Sequence, residues 1–315
     1  MFRQYLPCRN FTSSPNSSNQ DLSQAIGSAE ATRAAGVQRR LWAGGLLAIC
    51  VLAVCMLNVA AGYAEVISGS EPPDKFGNLK QGDTDCPNTA CGPTAAINSF
   101  VFLQNMYSTV YGTKLVPHKD GNTMYQDEVD AANKLAPYMG CCQDQGTYRE
   151  KFILGKQQYL EEMAKGKTVY AAEDTGAWRK DYGDKPDYVQ DNTAPTAQFL
   201  VDQLKKGADI ELFIDFLDKD NEHQQHYVTL TSLSFDTETN KGKINFVDPE
   251  TGKVADNPYD ITGLDSDDKD ILIGGYLKSA SIYMAVSEAP VPEPGTLLLL
   301  GSSIVVIGNF LRKSS

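Results

Sequence analysis

A cysteine, a histidine and an aspartate stand in a sequence pattern that would suit nucleophilic chemistry by a thiol. Cys91 opens the segment CGPTAAINSF at 91–100, at the start of a predicted helix. A helix start stabilises a thiolate through its dipole and its free amides, and the same amides can bind an oxyanion. Cys91 is therefore the candidate nucleophile.

A thiol nucleophile needs an imidazole to take its proton, and the chain has three histidines. His118 and His223 lie in polar stretches and are predicted to be solvated surface residues. His226 begins a predicted strand and shares its face with apolar residues. It is the candidate general base; the alternative interpretation is a strand-end histidine with a purely structural role.

Asp248 is the candidate for the group that orients the imidazole. It follows a predicted strand at 243–247, which a polar turn at 237–242 joins to the strand that begins at His226. The start of the first strand and the end of the second lie at one edge of an antiparallel hairpin. His226 and Asp248 are therefore predicted to be neighbours.

The elements that would position these residues follow one another in two groups. Segments 65–85 and 172–195 are predicted to be extended chain and a surface loop. Helices are predicted over 92–107, 127–135, 156–164 and 196–206, and strands over 209–216, 226–235, 243–247, 271–276 and 281–286. Helices first and antiparallel strands afterwards indicate an α+β fold.

Three blocks resemble those of papain-like cysteine peptidases: CGPTAAINSF at 91–100, HYVTLTSL at 226–233 and INFVDPETG at 244–252. The branch related to bacteriocin double-glycine-leader peptidases is the most similar, and the resemblance covers residues 86–252. It implies a papain-like fold with an N-terminal helical part carrying the Cys and a C-terminal antiparallel β-sheet carrying His and Asp. By the same resemblance Cys91 is the nucleophile, His226 the general base and acid, and Asp248 the orienting carboxylate.

The family also places a glutamine shortly before the cysteine, where its amide helps to bind the oxyanion. Two residues of this chain are candidates for that role, Gln81 and Asn88. Gln81 has the right side chain at a longer spacing, whereas Asn88 is closer in sequence but of a different type.

Four of the seven cysteines lie in the central region: Cys86, Cys91, Cys141 and Cys142. In an oxidising compartment they could form two disulfides in three pairings. Because a bridge between the adjacent Cys141 and Cys142 would be awkward, at least one thiol is expected to stay free. Cys91 is the favoured one.

The N-terminal region predicts export. Residues 39–64 read as a signal peptide: Arg39 and Arg40 precede an apolar run at 41–61, and small residues at 62 and 64 suit cleavage before Glu65. An uncleaved membrane anchor is the alternative. Residues 1–38 are predicted to be a disordered leader, or to precede a true start near Val37. The peptidase-like domain is predicted to span 65–287.

The C-terminal region, 288–315, predicts membrane sorting. The sequence VPEPGT at 291–296 precedes an apolar, predicted transmembrane segment at 297–311 and two basic residues. This arrangement resembles the PEP-CTERM sorting signal of Gram-negative bacteria, and the resemblance implies an exosortase-type sorting protease as a partner. The implied route runs through the inner membrane and periplasm to the cell surface or extracellular matrix. An ordinary tail anchor is the alternative.

Charge and ligand patterns exclude several classes. Residues 65–290 carry 37 acidic and 21 basic side chains, a net charge of −16, which repels nucleic-acid phosphates. The acidic run at 265–270 lacks the glycine and the closing glutamate of a calcium loop, and the histidines show no zinc spacing. No metal, no cofactor and no nucleic-acid partner are predicted.

The function expected from the sequence is that of an exported thiol peptidase of the cell envelope, acting on a peptide or protein substrate that the sequence does not identify. Two alternatives stay open. One is a non-catalytic envelope or extracellular-matrix binding protein on the same fold, with Cys91 in a disulfide. The other is a transglutaminase-like acyltransferase that uses the same three residues.

Overall fold

In the computed structural model the described residues are 65–142, 146–267 and 269–291. The predicted leader, signal peptide and C-terminal sorting segment, apart from residues 288–291, lie outside them. Five α-helices are found in the described ranges: α1 (Cys91–Met106), α2 (Ser108–Tyr111), α3 (Met124–Leu135), α4 (Arg149–Ala164) and α5 (Ala197–Lys205). Ten strands accompany them: β1 (Val66–Ser70), β2 (Thr168–Asp174), β3 (Val189–Asp191), β4 (Asp209–Leu217), β5 (His223–Asp236), β6 (Lys241–Asp248), β7 (Lys253–Val254), β8 (Tyr259–Leu264), β9 (Ile271–Gly274) and β10 (Lys278–Pro290).

Six of these strands close into an antiparallel β-barrel. The pairing runs β4–β5–β6–β8–β9–β10 and returns from β10 to β4, with every neighbouring pair antiparallel. Four further strands extend this ring. β1 pairs with β5, β7 with β6, β2 with β10, and β3 adds to β2 in parallel.

Two buried clusters lie on the two faces of the barrel wall, because alternate residues of a strand point to opposite faces. One cluster contains Leu212, Val228 and Phe246 together with side chains of α5. The other contains Phe213 and Tyr227, which are covered by α1, α3 and α4. Helix α1 is buried from Cys91 to Leu103, so it forms the centre of this second cluster.

The predicted α+β papain-like fold, with a helical half followed by a sheet, is wrong. The described chain is mostly β, and its strands are not confined to the second half. β1 precedes every helix and pairs with β5, while β2 and β3 lie between α4 and α5. The segments that contain these three strands are polar or rich in Gly and Pro, so their pairing depends on partners far away in sequence.

Within the described ranges, no helix is both long enough and apolar enough to cross a bilayer. The predicted transmembrane segment at 297–311 is not among the described residues.

Glu128 on α3 makes the stability of the fold depend on pH. It is buried, and burial raises its pKa to about 7 although the Asn78 backbone N–H donates to it. A carboxyl group whose pKa is raised by folding costs no stability while it is protonated, and it destabilises the fold increasingly as pH rises from about 4.5 to 7. We expect Glu128→Gln to raise the free energy of unfolding by about 2 kcal/mol at pH 8, and to leave it nearly unchanged at pH 4.

Urea unfolding of Glu128→Gln at both pH values checks this expectation, with Glu238→Gln in the exposed turn after β5 as the control. Some pH dependence remains in Glu128→Gln, because burial also raises the pKa of Glu71 to about 7 and that of Asp174 to about 6. An equal effect of Glu128→Gln at pH 4 and pH 8 would contradict the assignment.

Candidate active site

His226 and Asp248 are in direct contact at one edge of the β5–β6 hairpin. The two strands pair in antiparallel register with Thr229 opposite Val247, which brings the start of β5 to the end of β6. His226 Nε2 lies 2.9 Å from Asp248 Oδ1, and both residues are buried, with 8% and 7% of their surface exposed. This contact agrees with the adjacency expected from the hairpin; a catalytic role for the two residues remains a prediction.

The Asp248 carboxylate is held in its ionised form by three donors. Burial alone would raise its pKa, but His226, the Glu250 backbone N–H at 2.9 Å and the Tyr276 hydroxyl at 2.8 Å together lower that pKa below its usual value. A carboxylate at Nε2 favours the imidazole tautomer that carries its proton on that nitrogen. The other ring nitrogen, Nδ1, is then the basic one.

All three histidines of the chain lie beside an aspartate, but of the three only His226 is buried. His118 Nδ1 is 2.7 Å from Asp127, and His223 Nδ1 is 2.7 Å from Asp215. The imidazoles of His118 and His223 are 59% and 73% exposed, so water competes with those contacts. The His226 pair is shielded, which makes its electrostatic interaction stronger.

Cys91 is the first residue of α1 and is 1% exposed. Thr147 links this helix start to β5. Thr147 packs closely against Gly92 in the first turn of α1, since a side-chain carbon added to Gly92 would lie 3.0 Å from Thr147 Oγ1. On the other side, the hydroxyl of Tyr227 in β5 donates to the Thr147 carbonyl at 3.2 Å. One turn further along the helix, the Thr229 hydroxyl donates to the Ala95 carbonyl at 2.8 Å.

The faces of β5 determine how Cys91 and His226 can approach each other. Tyr227 shares the buried cluster of α1, and Thr229 contacts the helix directly. His226 alternates with both and lies on the face of Val228. His226 is therefore on the face of β5 opposite to the side chains that contact α1.

A free thiol is present among the four cysteines of the central region, but it is not the expected one. Cys86 is disulfide-bonded to Cys142, and Cys141 is a buried free thiol. Cys91 is also disulfide-bonded. The expectation that Cys91 carries the free thiol is therefore wrong for this state of the protein.

Of the two oxyanion candidates, Gln81 lies beside the His226–Asp248 pair. Its backbone N–H donates to the Pro249 carbonyl at 2.8 Å, and its side-chain Nε2 donates to Glu250 at 3.0 Å. Gln81 is buried, and its Oε1 has no hydrogen-bond partner among the described residues. Asn88 is exposed in the turn before α1.

Asn98 on α1 explains the position of Gln81. The Asn98 side chain accepts from the Leu79 backbone N–H at 2.8 Å and donates to the Leu79 carbonyl at 3.2 Å. These two bonds hold the segment before Gln81 against the helix. The long sequence spacing between Gln81 and Cys91 is therefore compatible with a position next to both α1 and the end of β6.

Three residues of this site were not singled out by the sequence: Thr147, Glu250 and Tyr276. Thr147 and Tyr276 come from segments distant from both Cys91 and His226, so no local pattern identifies them. Glu250 stands two positions after Asp248, and its backbone N–H closes a tight turn onto the Asp248 carboxylate. An aspartate at the end of a strand, followed by Pro, is a signal that could have identified this turn.

Two groups of potential metal ligands are found within the described residues, and neither contains Cys91, His226 or Asp248. One is Cys86, Cys141 and Cys142; the other is Asp209, Glu211 and Glu288. The carboxylates of the second group already bind the ammonium of Lys156. That the chain uses no metal or cofactor stays a prediction.

No protein-family model matches this chain, and a search of curated proteins finds no match either.

Proposed function

We propose that this chain is an exported thiol hydrolase of the cell envelope that cleaves peptide bonds. Cys91 is the nucleophile, His226 the general base and acid, and Asp248 the orienting carboxylate. The observation that supports this most is the buried contact between His226 Nε2 and Asp248 Oδ1, because it leaves the basic Nδ1 for a thiol.

The reaction proceeds through an acyl-enzyme. Nδ1 of His226 accepts the thiol proton, and the Cys91 sulfur attacks the carbonyl carbon of the peptide bond. The resulting oxyanion takes hydrogen bonds from the amides at the start of α1 and from the second N–H of Gln81 Nε2. The imidazolium then donates its proton to the leaving amine, and water activated by His226 releases the acid and restores the thiol.

Catalysis by Cys91 requires that its disulfide be opened by a thiol reductant.

The proposed location rests on the sequence. The signal peptide at 39–64 and the segment resembling a PEP-CTERM signal at 288–315 support export, and the latter supports processing by an exosortase-type protease. The domain would pass through the inner membrane and periplasm to the cell surface or extracellular matrix.

A non-catalytic envelope or matrix binding protein is the second candidate. One observation favours it, namely that Cys91 is disulfide-bonded. In this alternative the disulfide is permanent. His226 then serves only as a hydrogen-bond partner for the buried carboxylate of Asp248.

Alkylation of Cys91 separates the two candidates. The full chain, in detergent and after mild reduction, is treated with iodoacetamide at pH 7, and the label at each cysteine is quantified by peptide mass spectrometry. We expect His226→Ala to slow the labelling of Cys91 at least tenfold, because the imidazole no longer stabilises the thiolate. His223→Ala, which removes an exposed histidine that also contacts an aspartate, should leave the rate unchanged.

Equal labelling rates of Cys91 in the wild type and His226→Ala would reject the thiol–imidazole pair. Resistance of the Cys91 disulfide to reductant in the native protein would favour the non-catalytic candidate.

A further inference from the structure

Three cysteines form a cluster beside the start of α1. The Sγ atoms of Cys86, Cys141 and Cys142 lie within 4.8 Å of one another. Cys86 and Cys142 are joined in a disulfide, and the thiol of Cys141 is buried. That thiol donates to the Thr89 carbonyl at 3.2 Å. A disulfide and a free thiol are thus held at a distance that a small rotation of one side chain can close.

We infer that Cys86, Cys141 and Cys142 form a thiol–disulfide exchange centre, in which Cys86 alternates between Cys142 and Cys141 as its disulfide partner. The thiolate of Cys141 attacks the Cys86 sulfur, and a Cys86–Cys141 bond forms as the Cys86–Cys142 bond breaks. Cys142 leaves as a thiolate and takes up a proton from solvent, which balances the proton given up by Cys141. No oxidant or reductant is consumed.

Chain geometry determines which sulfur is attacked. Attack on Cys142 would join two adjacent residues, and the peptide bond between them is not cis. Adjacent Cα atoms across a trans peptide are about 3.8 Å apart, below the usual span of about 4.4–6.8 Å between disulfide-linked residues. The present Cys86–Cys142 bridge has a Cα separation of 5.3 Å. Exchange therefore takes place at Cys86.

The two disulfide forms have compensating advantages. In the present form Cys142 has a φ of 77°, in the left-handed region that is unfavourable for a residue with a side chain. Release of Cys142 removes the covalent constraint that holds this conformation. Against this gain, Cys141 gives up its hydrogen bond to Thr89. Each form therefore keeps one favourable feature that the other lacks.

The exchange changes whether a thiol is accessible at the surface beside these three cysteines. Cys141 is buried and Cys142 is exposed, so the second form carries an accessible thiol where the first carries none at this place. A pocket of about 390 Å³, lined by the three cysteines with Asp85, Asn133 and Pro137, opens beside them. The exposed Cys142 thiol is therefore a site for mixed-disulfide formation with small thiols or their disulfides.

Burial raises the pKa of the Cys141 thiol, and this pKa sets the rate of exchange at a given pH. Only the thiolate attacks, and its fraction increases tenfold per pH unit below the pKa. We therefore expect the exchange to accelerate by roughly tenfold for each unit of pH between 6 and 8.

Trapping by maleimide tests the inference on the full chain. Protein incubated at pH 6, 7 and 8 is quenched in acid, denatured and labelled, and fragmentation between Cys141 and Cys142 locates the label. We expect label at Cys141 at the start and a growing fraction at Cys142, growing faster at higher pH. Label that stays on Cys141 at all three pH values would overturn the inference.

Two serine variants provide the controls. Cys142→Ser should form the Cys86–Cys141 disulfide without added oxidant beyond air, whereas Cys141→Ser should retain Cys86–Cys142 and show no labelling of Cys142. Free Cys86 and Cys141 in Cys142→Ser would contradict the exchange. Labelling of Cys142 in Cys141→Ser at the wild-type rate would also contradict it, because another thiol would then be responsible.

Discussion

Cys91→Ala is expected to lower peptide hydrolysis by at least a thousandfold, because it removes the sulfur that attacks the carbonyl in the proposed mechanism. Loss of a nucleophile removes the covalent route altogether and leaves only the binding contribution and oxyanion stabilisation. The residual rate should resemble that of the uncatalysed reaction accelerated by Gln81 and the start of α1 alone.

The reference state for this comparison must be the reduced wild type. Cys91 is disulfide-bonded in the structure, so replacing it removes a cross-link as well as a thiol, and a comparison with the oxidised protein would mix the two effects. The substrate is a peptide library derived from a whole proteome, incubated with reduced protein and read by mass spectrometry for new termini.

Cys141→Ala is the matched control for Cys91→Ala. It removes a second buried thiol from the same region, which hydrogen-bonds Thr89 and not the His226–Asp248 pair. We expect wild-type hydrolysis in Cys141→Ala. New termini produced at equal rates by the reduced wild type and Cys91→Ala would reject the nucleophile, provided that thermal unfolding shows both proteins to be folded.

The site was predictable where it depends on local sequence. A polar turn between two strands sets the hairpin register, and that register alone brings His226 to Asp248. The start of α1 was placed within one residue, since Pro93 and the apolar positions after it mark a first turn. Both features are decided by residues within about twenty positions of one another.

The fold was not predictable in this way, because barrel closure depends on distant pairs. β1 joins β5 with Val66 opposite Asp236, and β10 returns to β4 with Glu288 opposite Asp209. Neither β1 nor β2 has a strong alternating pattern of its own, so each becomes a strand only against its partner. Gln81 illustrates the same point, since its place beside Pro249 is fixed by Asn98 and the end of β6 rather than by its spacing from Cys91.

The alternating pattern of β4 does not reveal that its acidic side chains are buried. Asp209 and Glu211 alternate with apolar residues and resemble a solvated face, yet both are fully buried. Lys156 of α4 covers them, and its ammonium contacts the carboxylates of Glu211 and Glu288 and lies 3.9 Å from that of Asp209. A helix that carries a lysine opposite acidic strand positions converts an apparently exposed face into a buried ionic cluster.

Lys156→Met is expected to destabilise the fold by about 3–5 kcal/mol at neutral pH, the largest stability change predicted for this protein. Burial disfavours every charge in the cluster. It raises the pKa values of Asp209, Glu211 and Glu288, although the lysine lowers each of them. The carboxylates in turn raise the pKa of Lys156 against the effect of its burial. Methionine has a similar length and keeps the apolar contacts, but it leaves carboxylates without their cation.

The sign of the pH dependence distinguishes lost charge from lost contacts. Without Lys156 the carboxylates must take up protons or remain charged and unpaired, so the destabilisation should be largest at pH 8 and should shrink towards pH 5. Adding Glu288→Gln to Lys156→Met should recover part of the loss at pH 8. Lys134→Met, which breaks a 2.7 Å ion pair with Glu162 on the surface, should cost less than about 1 kcal/mol. Urea unfolding at both pH values measures all four proteins, and a loss for Lys156→Met that does not vary with pH would show that the cluster acts through shape rather than charge.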